Sequence, residues 1–411
     1  MVSGICCIAL VRIVTAIRGG AAGYSDSVVR LLLLCSSLIF ISLLFRADAL
    51  RLDRKAGSAL VFAAIACLSV LASPGFFSAL AQLELYFSVV AFGLAMGLAL
   101  RHCWPGTGKV ILFVICLVHA GFLLIALQSA MNAVGDPEPV TTPPFFTNIR
   151  HFGYQGFFGA SAAIALALVD ERLRTAGVLL AMAALFGIIM FGGRGALLAW
   201  ILFVVTALAL VPNRRALLMI SLLAIAGAFA LAFAAEQQSW LNTISLLDRT
   251  RALTGDTLSA LYVQDRLQIW RDSLAAIVQR PVLGFGPSGY QISGCCNPFV
   301  AQPHNSILQI LLEFGVAGLV VLVWVATAIL GSRVREIVVR TPRLERNPID
   351  SASLAILAGF AGFSLIDGLL YFPIPLVNFA VVCAIFLTTT PEPSTNSARS
   401  LDCGSIRSPT S

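Results

Sequence analysis

The chain consists largely of apolar runs, many of them about as long as a membrane is thick. A spanning helix needs about 20 mostly apolar residues. Here 58% of the 411 residues are hydrophobic and only 11% are charged. This composition, with a mean hydropathy of +0.91, excludes a soluble globular protein and predicts an all-α polytopic membrane protein. We predict about twelve transmembrane helices, over residues 3–18, 28–45, 57–73, 76–100, 108–129, 153–169, 175–192, 194–212, 214–235, 305–330, 351–369 and 372–389.

The positive charges of the loops predict how these helices are oriented. If the N-terminus is cytoplasmic, every cytoplasmic loop carries Arg or Lys, as the positive-inside rule requires. The net charge of +7 then reflects orientation, and we expect no nucleic-acid partner because no basic patch is interleaved with aromatic residues. The cytoplasmic charges are Arg46, Arg51, Arg54, Lys55, Arg101, Lys109, Arg172, Arg174, Arg214, Arg215, Arg333, Arg335, Arg340, Arg343 and Arg346.

Two longer segments remain for the outer side, at residues 129–152 and 235–303. The second contains an amphipathic helix that stops before Pro281 and lies on the bundle or the membrane surface. We therefore predict one transmembrane domain over residues 1–389, which includes the outer loop 235–303, and a disordered cytoplasmic tail over residues 390–411. The apolar face of the loop helix comprises Val263, Leu267, Trp270, Leu274 and Ile277.

Three of the arginines on the outer side, where positive charge is disfavoured, are candidates for the site. Arg150 ends the first outer loop, Arg194 lies between Gly193 and Gly195 at the tip of a helical hairpin, and Arg266 flanks the apolar face of the loop helix. A guanidinium suits phosphate, and glycines allow a ligand to approach the backbone closely. Together the arginines would form a diphosphate clamp. Alternatively, each anchors at lipid headgroups or pairs with a nearby carboxylate.

His304 opens an apolar run at the end of the large loop, and Asn305, Gln309 and Glu313 follow it at helical spacing. Histidine titrates near physiological pH, which suits a general base. The polar stripe faces the bundle interior. Alternatively, His304 bonds a backbone carbonyl at the interface and the stripe serves helix–helix hydrogen bonds. Asp367, near the outer end of its helix, either orients His304 or an arginine, or caps a turn.

Three further patterns are weaker. Residues 284–289 match G-x-G-x-x-G, but Pro287 and the absence of a strand-to-helix unit exclude a dinucleotide site, and we interpret them as a shaped turn. Asp136 and Glu138 could hold a divalent cation but lack a clear third ligand. Cys295 and Cys296 do not have zinc-ligand spacing relative to His304, and their redox state is not predictable. We expect no metal and no cofactor.

Several segments, in this order along the chain, resemble the bacterial O-antigen ligase and polymerase superfamily. At Gly193 the family usually has Ser, and outside these segments the resemblance is one of topology. The segments are Gly193-Arg-Gly-Ala-Leu-Leu198, Arg266-Leu-Gln-Ile-Trp270, Pro281-Val-Leu-Gly-Phe-Gly286, His304-Asn305 and Glu313-Phe-Gly-Val-Ala-Gly318.

The resemblance implies a metal-independent, inverting glycosyltransferase of the bacterial inner membrane, with its active site on the periplasmic side. The donor would be a glycan on undecaprenyl diphosphate, and the acceptor a sugar of lipid A–core. By motif, Arg194, Arg266 and His304 are the catalytic residues. The arginines would stabilise the leaving diphosphate, and His304 would take the proton of the acceptor hydroxyl. As substrate-binding residues we add Arg150, Asn305, Gln309, Glu313 and Asp367.

Other functions remain open. A repeat-unit polymerase of O-antigen or exopolysaccharide, or a protein O-oligosaccharyltransferase, would use the same donor with another acceptor. A lipid-linked glycan transporter would place its charged groups near the bilayer midplane on broken helices, often in repeated halves. Here the candidates gather at the outer face, and no internal repeat is evident. In a non-enzymatic assembly protein the outer arginines would be dispensable.

Overall fold

The computed structural model describes residues 54–102, 107–132, 149–191, 193–236, 258–295 and 300–388, and within these ranges the chain is helical without strands. The predicted helices at 3–18 and 28–45, most of the loop 129–152 and the tail 390–411 lie outside the described residues. The helices are α1 (Arg54–Leu71), α2 (Phe76–His102), α3 (Thr107–Asn132), α4 (Ile149–Val169), α5 (Arg174–Met190), α6 (Arg194–Leu210), α7 (Arg214–Glu236), α8 (Leu258–Gln279), α9 (Gly289–Ile292), α10 (Ser306–Arg335), α11 (Pro348–Ser364) and α12 (Pro373–Thr388).

A helix occupies each of the other ten segments predicted to span the membrane. In the described part of the chain, four of the apolar helices are shorter than a full span, and six are long and apolar enough to cross a membrane. The structure therefore confirms that the described residues are all-helical and that several of these helices could cross a membrane. The six are Phe76–Arg101, Thr107–Gln128, His151–Val169, Glu171–Met190, Arg214–Ala235 and Ser306–Arg340.

Helix α4 forms the centre of the bundle and packs against α3, α5, α6 and α11. Its buried positions include many small residues, which let helix backbones approach closely in the absence of water. The contact with α5 depends on this, because a Cβ on Gly177 would lie 2.7 Å from the carbonyl oxygen of Ala163. The small residues of α4 thus let the neighbouring helices pack closely around it. The N-terminus of α4 lies near the site described below.

The basic loops meet at one end of the bundle, opposite to His304. Helix α10 begins directly after Asn305 and reaches the basic loops at Arg335. Polar contacts there join the loop after α4 to the start of α3, and the loop after α10 to the end of α6 and the loop that follows it. These are Lys109 Nζ to the Asp170 carboxylate (3.5 Å), Arg343 to the carbonyl of Pro212 (3.3 Å) and Arg346 to the carbonyl of Leu210 (3.5 Å).

On helix α8 the residues of the predicted apolar face differ in exposure. Ile277 is only 8% exposed, and Trp270 contacts the same inner cluster, whereas Leu267 and Leu274 are 46% and 52% exposed. The inner face also includes the fully buried Ser273 and Ala276. Close contact with α10 favours such small residues, and the sequence pattern did not distinguish them from the polar face. The side chain of Val263 lies outside the described ones.

Helix α10 is broken at Gly315, whose φ of 65° and ψ of −167° are not helical. The segment that follows α8 fills the break. The Val316 N–H donates to the Pro281 carbonyl at 2.8 Å, and the Phe285 N–H donates to the Leu312 carbonyl at 2.7 Å. Backbone groups released by the break are thereby satisfied inside the protein, which is how irregular backbone is tolerated in a membrane-protein core.

The glycines of the G-x-G-x-x-G pattern permit this backbone-to-backbone contact. A Cβ on Gly284, which has φ of 67°, would lie 2.7 Å from the carbonyl carbon of Glu313, and a Cβ on Gly289 would lie 2.6 Å from the Leu312 carbonyl oxygen. On the other side, a Cβ on Gly315 would overlap the Val282 carbonyl. The predicted shaped turn is therefore a loop packed against the broken helix.

Candidate active site

The turn that follows α11, Leu365–Gly368, is contacted by residues from distant parts of the chain, and we name it the 365–368 turn. Arg266 on α8 donates from Nη1 to the Ile366 carbonyl at 3.0 Å. Asn305 donates from Nδ2 to the Leu365 carbonyl at 3.0 Å. The Nδ1 atom of His304 lies 2.9 Å from Oδ1 of Asp367. The structure thus brings together four of the predicted site residues.

The backbone around His304 is held in a sharp bend. His304 has φ of 53°, in the left-handed region that non-glycine residues seldom occupy. Its N–H donates to Oε1 of Gln302 at 2.5 Å, and the preceding Pro303 carbonyl accepts from Nε1 of Trp270 at 3.0 Å. Asn305 then caps α10 by accepting from the Ile307 N–H at 2.9 Å. The bend turns the imidazole back toward the 365–368 turn.

Two groups compete for Nδ1 of His304. Oδ1 of Asp367 lies 2.9 Å away and Nε2 of Gln302 lies 2.8 Å away. A carboxylate only accepts, so it selects the tautomer with the proton on Nδ1, whereas the amide nitrogen only donates and selects the other. A hydrogen bond to an ionised group is about twice as strong as a neutral one. The Asp367 contact therefore favours Nδ1–H and leaves Nε2 as a proton acceptor.

Burial and packing support this arrangement. The side chains of His304 and Asp367 are 13% and 7% exposed. Oδ1 of Asp367 also accepts from the Gly368 N–H at 2.9 Å, so the carboxylate is held by the turn itself. A Cβ on Gly368 would collide with the buried side chain of Gln302. Glycine at this position lets Gln302 reach the backbone N–H of His304.

Arg194 begins α6 close to the same turn. A Cβ on the adjacent Gly195 would lie 2.7 Å from the ring of Phe363 and 3.6 Å from Cδ1 of Ile366. The Arg194 side chain is exposed, as binding of an external anion requires. The contact of Gly195 with α11 explains why glycine follows Arg194, because the start of α6 touches the end of α11 here.

Arg150 lies in the first turn of α4, and its side chain lies outside the described ones. The backbone position is nevertheless informative, since a Cβ on Gly153 would lie 3.5 Å from Cα of Gly193. The N-terminus of α4 is therefore next to the segment that precedes Arg194. Helix N-termini carry partial positive charge that favours anions, and those of α4, α6 and α10 all lie near the 365–368 turn.

Gln309 and Glu313 lie in a separate, buried cluster. Each is only 2% exposed. The carboxylate of Glu313 accepts from the hydroxyl of Tyr86 at 2.8 Å, and from the Ser288 N–H and Nε2 of Gln309 at 3.2 Å each. Both residues thus have partners inside the protein, and their predicted contact with substrate stays a prediction.

Two residues of this region carried no recognisable signal in the sequence. Gln302 lies in a loop without periodicity, and its contacts with His304 depend on the backbone bend. Tyr86 on α2 is far from Glu313 in sequence and looked like one of many aromatic residues in apolar runs. Cys295 is disulfide-bonded, and Cys296 lies outside the described residues.

Residues 178–323 match the model of the family described as O-antigen ligase. This range runs from within α5 to the second part of α10, and it includes Arg194, Arg266 and His304. A comparison with curated proteins gives no match. The motifs that suggested the family thus fall within the matched region, and the match supports a relationship of this part of the chain to the O-antigen ligase superfamily.

Proposed function

We propose that this protein is an O-antigen ligase of the bacterial inner membrane. It transfers a glycan from undecaprenyl diphosphate to a sugar of lipid A–core on the periplasmic face. The observation that supports this most is the convergence of His304 and Arg266 on the 365–368 turn, which contains Asp367. The turn lies next to the start of α6 at Arg194. In this proposal about twelve helices form one domain, the loop 235–303 is periplasmic, and residues 390–411 form a cytoplasmic tail.

The length of α10 supports a site at the membrane surface. Helix α10 is broken at Gly315, so the length of each part is compared with the hydrocarbon core, which is about 30 Å thick. The part after the break, Val316–Arg335, by itself extends about 30 Å. If that part crosses the core, Gly315 lies at the periplasmic boundary and His304 lies just outside it. The phosphates of a lipid diphosphate occupy the same level.

In the proposed reaction, the acceptor hydroxyl oxygen attacks the anomeric carbon of the donor. Nε2 of His304 takes the hydroxyl proton, and Asp367 stabilises the imidazolium that forms. The bond between the anomeric carbon and the phosphate oxygen breaks, and its electron pair remains on the lipid diphosphate. Direct displacement from the opposite face inverts the anomeric configuration.

Arg194 and Arg266 would stabilise the charge that develops on the diphosphate. One well-placed donor of this kind contributes about 100- to 1000-fold in rate. Arg266 donates from Nη1 to the Ile366 carbonyl, which holds its guanidinium beside the 365–368 turn. The N-termini of α4 and α6, with Arg150 in the first turn of α4, add positive potential, and this chain would need no metal ion.

Replacing His304 with Ala tests the proposal. The variant replaces the unmodified protein in a strain whose long-chain lipopolysaccharide depends on this protein. Membrane insertion is checked by immunoblot, and lipopolysaccharide is examined on a gel. We expect lipid A–core without any attached repeat. Normal long-chain lipopolysaccharide would contradict the role of His304. Core with a single repeat, in the variant alone, would indicate a polymerase instead.

The break in α10 is also a feature of transporters, which bind substrate where helices are discontinuous near the midplane. A lipid-linked glycan transporter is therefore the second candidate. In the proposed placement the break lies at the periplasmic boundary of the membrane. Its backbone N–H groups donate hydrogen bonds to the carbonyls of Pro281 and Val282. Purified protein in vesicles containing both lipid-linked donor and lipid A–core distinguishes the two. Product formation without a transmembrane gradient supports the enzyme, and flipping without product supports the transporter.

A further inference from the structure

Glu313 is a buried carboxylate that the proposed chemistry does not use. It is 2% exposed, and both of its carboxylate oxygens accept hydrogen bonds. Burying a carboxylate is costly unless several donors compensate for the lost water. Here Tyr86, Ser288 and Gln309 provide three donors. A carboxylate kept at this cost, with three donors inside the protein, indicates a role within the protein.

The partners of Glu313 belong to four different segments. Tyr86 lies on α2, Ser288 lies in the loop after α8, and Gln309 lies one turn earlier on α10. The backbone carbonyl of Glu313 also accepts two hydrogen bonds, from the hydroxyl of Ser69 on α1 at 2.6 Å and from the Gly286 N–H at 3.0 Å. One residue therefore joins α1, α2, the loop that continues α8, and the first part of α10.

Two of these segments are directly connected along the chain to the proposed catalytic groups. Arg266 is on α8, and the loop continuing α8 reaches Glu313 through Gly286 and Ser288. His304 directly precedes the first part of α10, which ends at the break beside Glu313. That part has no continuous helix ladder to fix it to the spanning part, because Gly315 interrupts it.

We infer that Glu313 is a positioning residue, which fixes the segment holding His304 against the helix holding Arg266. This inference rests on the proposed function. A displacement of about 1 Å between catalytic groups costs on the order of 100-fold in rate. Loss of the Glu313 contacts therefore lowers turnover without removing any group that contacts substrate.

The variants Glu313→Gln and Tyr86→Phe test the inference. Glu313→Gln replaces the oxygen that accepts from Tyr86 with an NH2 group, and Tyr86→Phe removes the donor. We expect each to lower kcat about 10- to 100-fold, with KM for the lipid-linked donor changed less than about 2-fold. The double variant should be no worse than the more severe single variant, because both break one interaction. Protein amount and melting temperature should remain near those of the unmodified protein.

Glu336→Gln is the matched control. Glu336 directly follows α10 at the basic end and pairs with Arg333 at 2.8 Å, far from His304, so its replacement should leave kcat unchanged. Normal kcat in Glu313→Gln would overturn the inference while the unmodified protein still transfers glycan. Additive losses, in step with reduced melting temperature, would also overturn it by indicating a general loss of stability. No transfer by the unmodified protein would instead refute the proposed function.

Discussion

At the scale of single residues, Asp367 determines which nitrogen of His304 carries the proton. Its Oδ1 lies 2.9 Å from Nδ1, and only an ionised acceptor outweighs the nearby amide of Gln302. In Asp367→Asn the side chain keeps its shape but can present an NH2 group to Nδ1, which favours the wrong tautomer. We expect kcat to fall by about 100-fold or more, measured as glycan transfer to lipid A–core by purified protein.

Asp272→Asn is the control for this replacement. Asp272 lies on α8 and accepts from the exposed Gln268 at 2.7 Å, away from the 365–368 turn. Its replacement should leave transfer unchanged. If Asp367→Asn kept full activity, the Asp367 carboxylate would only cap the turn through the Gly368 N–H, which was the alternative that the sequence left open.

Arg194 allows a test of how the donor diphosphate is bound. A lysine keeps the positive charge but not the planar fork of donors. We therefore expect Arg194→Lys to lower kcat/KM about 10- to 100-fold, and Arg194→Ala about 100- to 1000-fold. The same transfer assay, run over a range of donor concentrations, measures both. Arg271→Lys, at another exposed arginine of the His304 end, should have no effect, and full activity of Arg194→Lys would argue against bidentate recognition.

At the scale of secondary structure elements, the break in α10 depends on glycine at one position. Gly315→Ala would place a methyl group against the Val282 carbonyl at φ of 65°. Such backbone strain costs about 1–3 kcal/mol, and the overlap adds to it. We expect a lower melting temperature and less protein in the membrane, as measured by fluorescence-monitored unfolding in detergent and by immunoblot.

Gly331→Ala serves as the comparison, because Gly331 is also on α10 and a Cβ there would have no heavy atom within 4 Å. The replacement should be neutral or slightly stabilising, since alanine favours helix over glycine by about 1 kcal/mol. Equal stability of the two alanine variants would mean that the loop at Val282 can move away from α10. The close backbone contact would then not require glycine.

The helices were predictable because burial in lipid requires long apolar runs, and these runs are local in sequence. The break was not predictable in the same way. The residues around Gly315 are compatible with a continuous helix, and only the pairing with Pro281–Gly286 interrupts it. Similarly, Leu267 and Trp270 both fit one apolar stripe, and only the contact with α10 separates the outward leucine from the inward tryptophan.

The site was predictable in part for a related reason. Charged and titratable side chains are energetically costly in an apolar chain, so His304 and Arg266 could each be singled out from the sequence. Gln302 is an ordinary loop residue whose role arises from two contacts with His304. Glu313 was conspicuous for its charge, but its partners Tyr86 and Ser288 come from distant segments, so the sequence indicated a buried role without identifying it.

At the scale of the whole molecule, the two ends of the bundle differ in charge and in chemistry. The basic loops meet at one end, where Arg333 pairs with Asp350 at 2.7 Å, and the proposed site lies at the other. The positive-inside rule assigns the basic end to the cytoplasm. A periplasmic site has no supply of ATP or nucleotide sugars. If the site is periplasmic, as proposed, the energy for transfer comes from the diphosphate bond of a lipid-linked donor.

This orientation predicts opposite labelling of two exposed positions. Gln268 lies on the outer face of α8 and Val339, 75% exposed, lies at the basic end. A membrane-impermeant maleimide should label Gln268→Cys in intact spheroplasts, and should label Val339→Cys only after the membrane is permeabilised. The unmodified protein gives the background from its own cysteines. Labelling of Val339→Cys in intact spheroplasts would place His304 on the cytoplasmic side. Nucleotide-sugar donors are available there, so the main physical argument for a lipid-diphosphate donor would no longer hold.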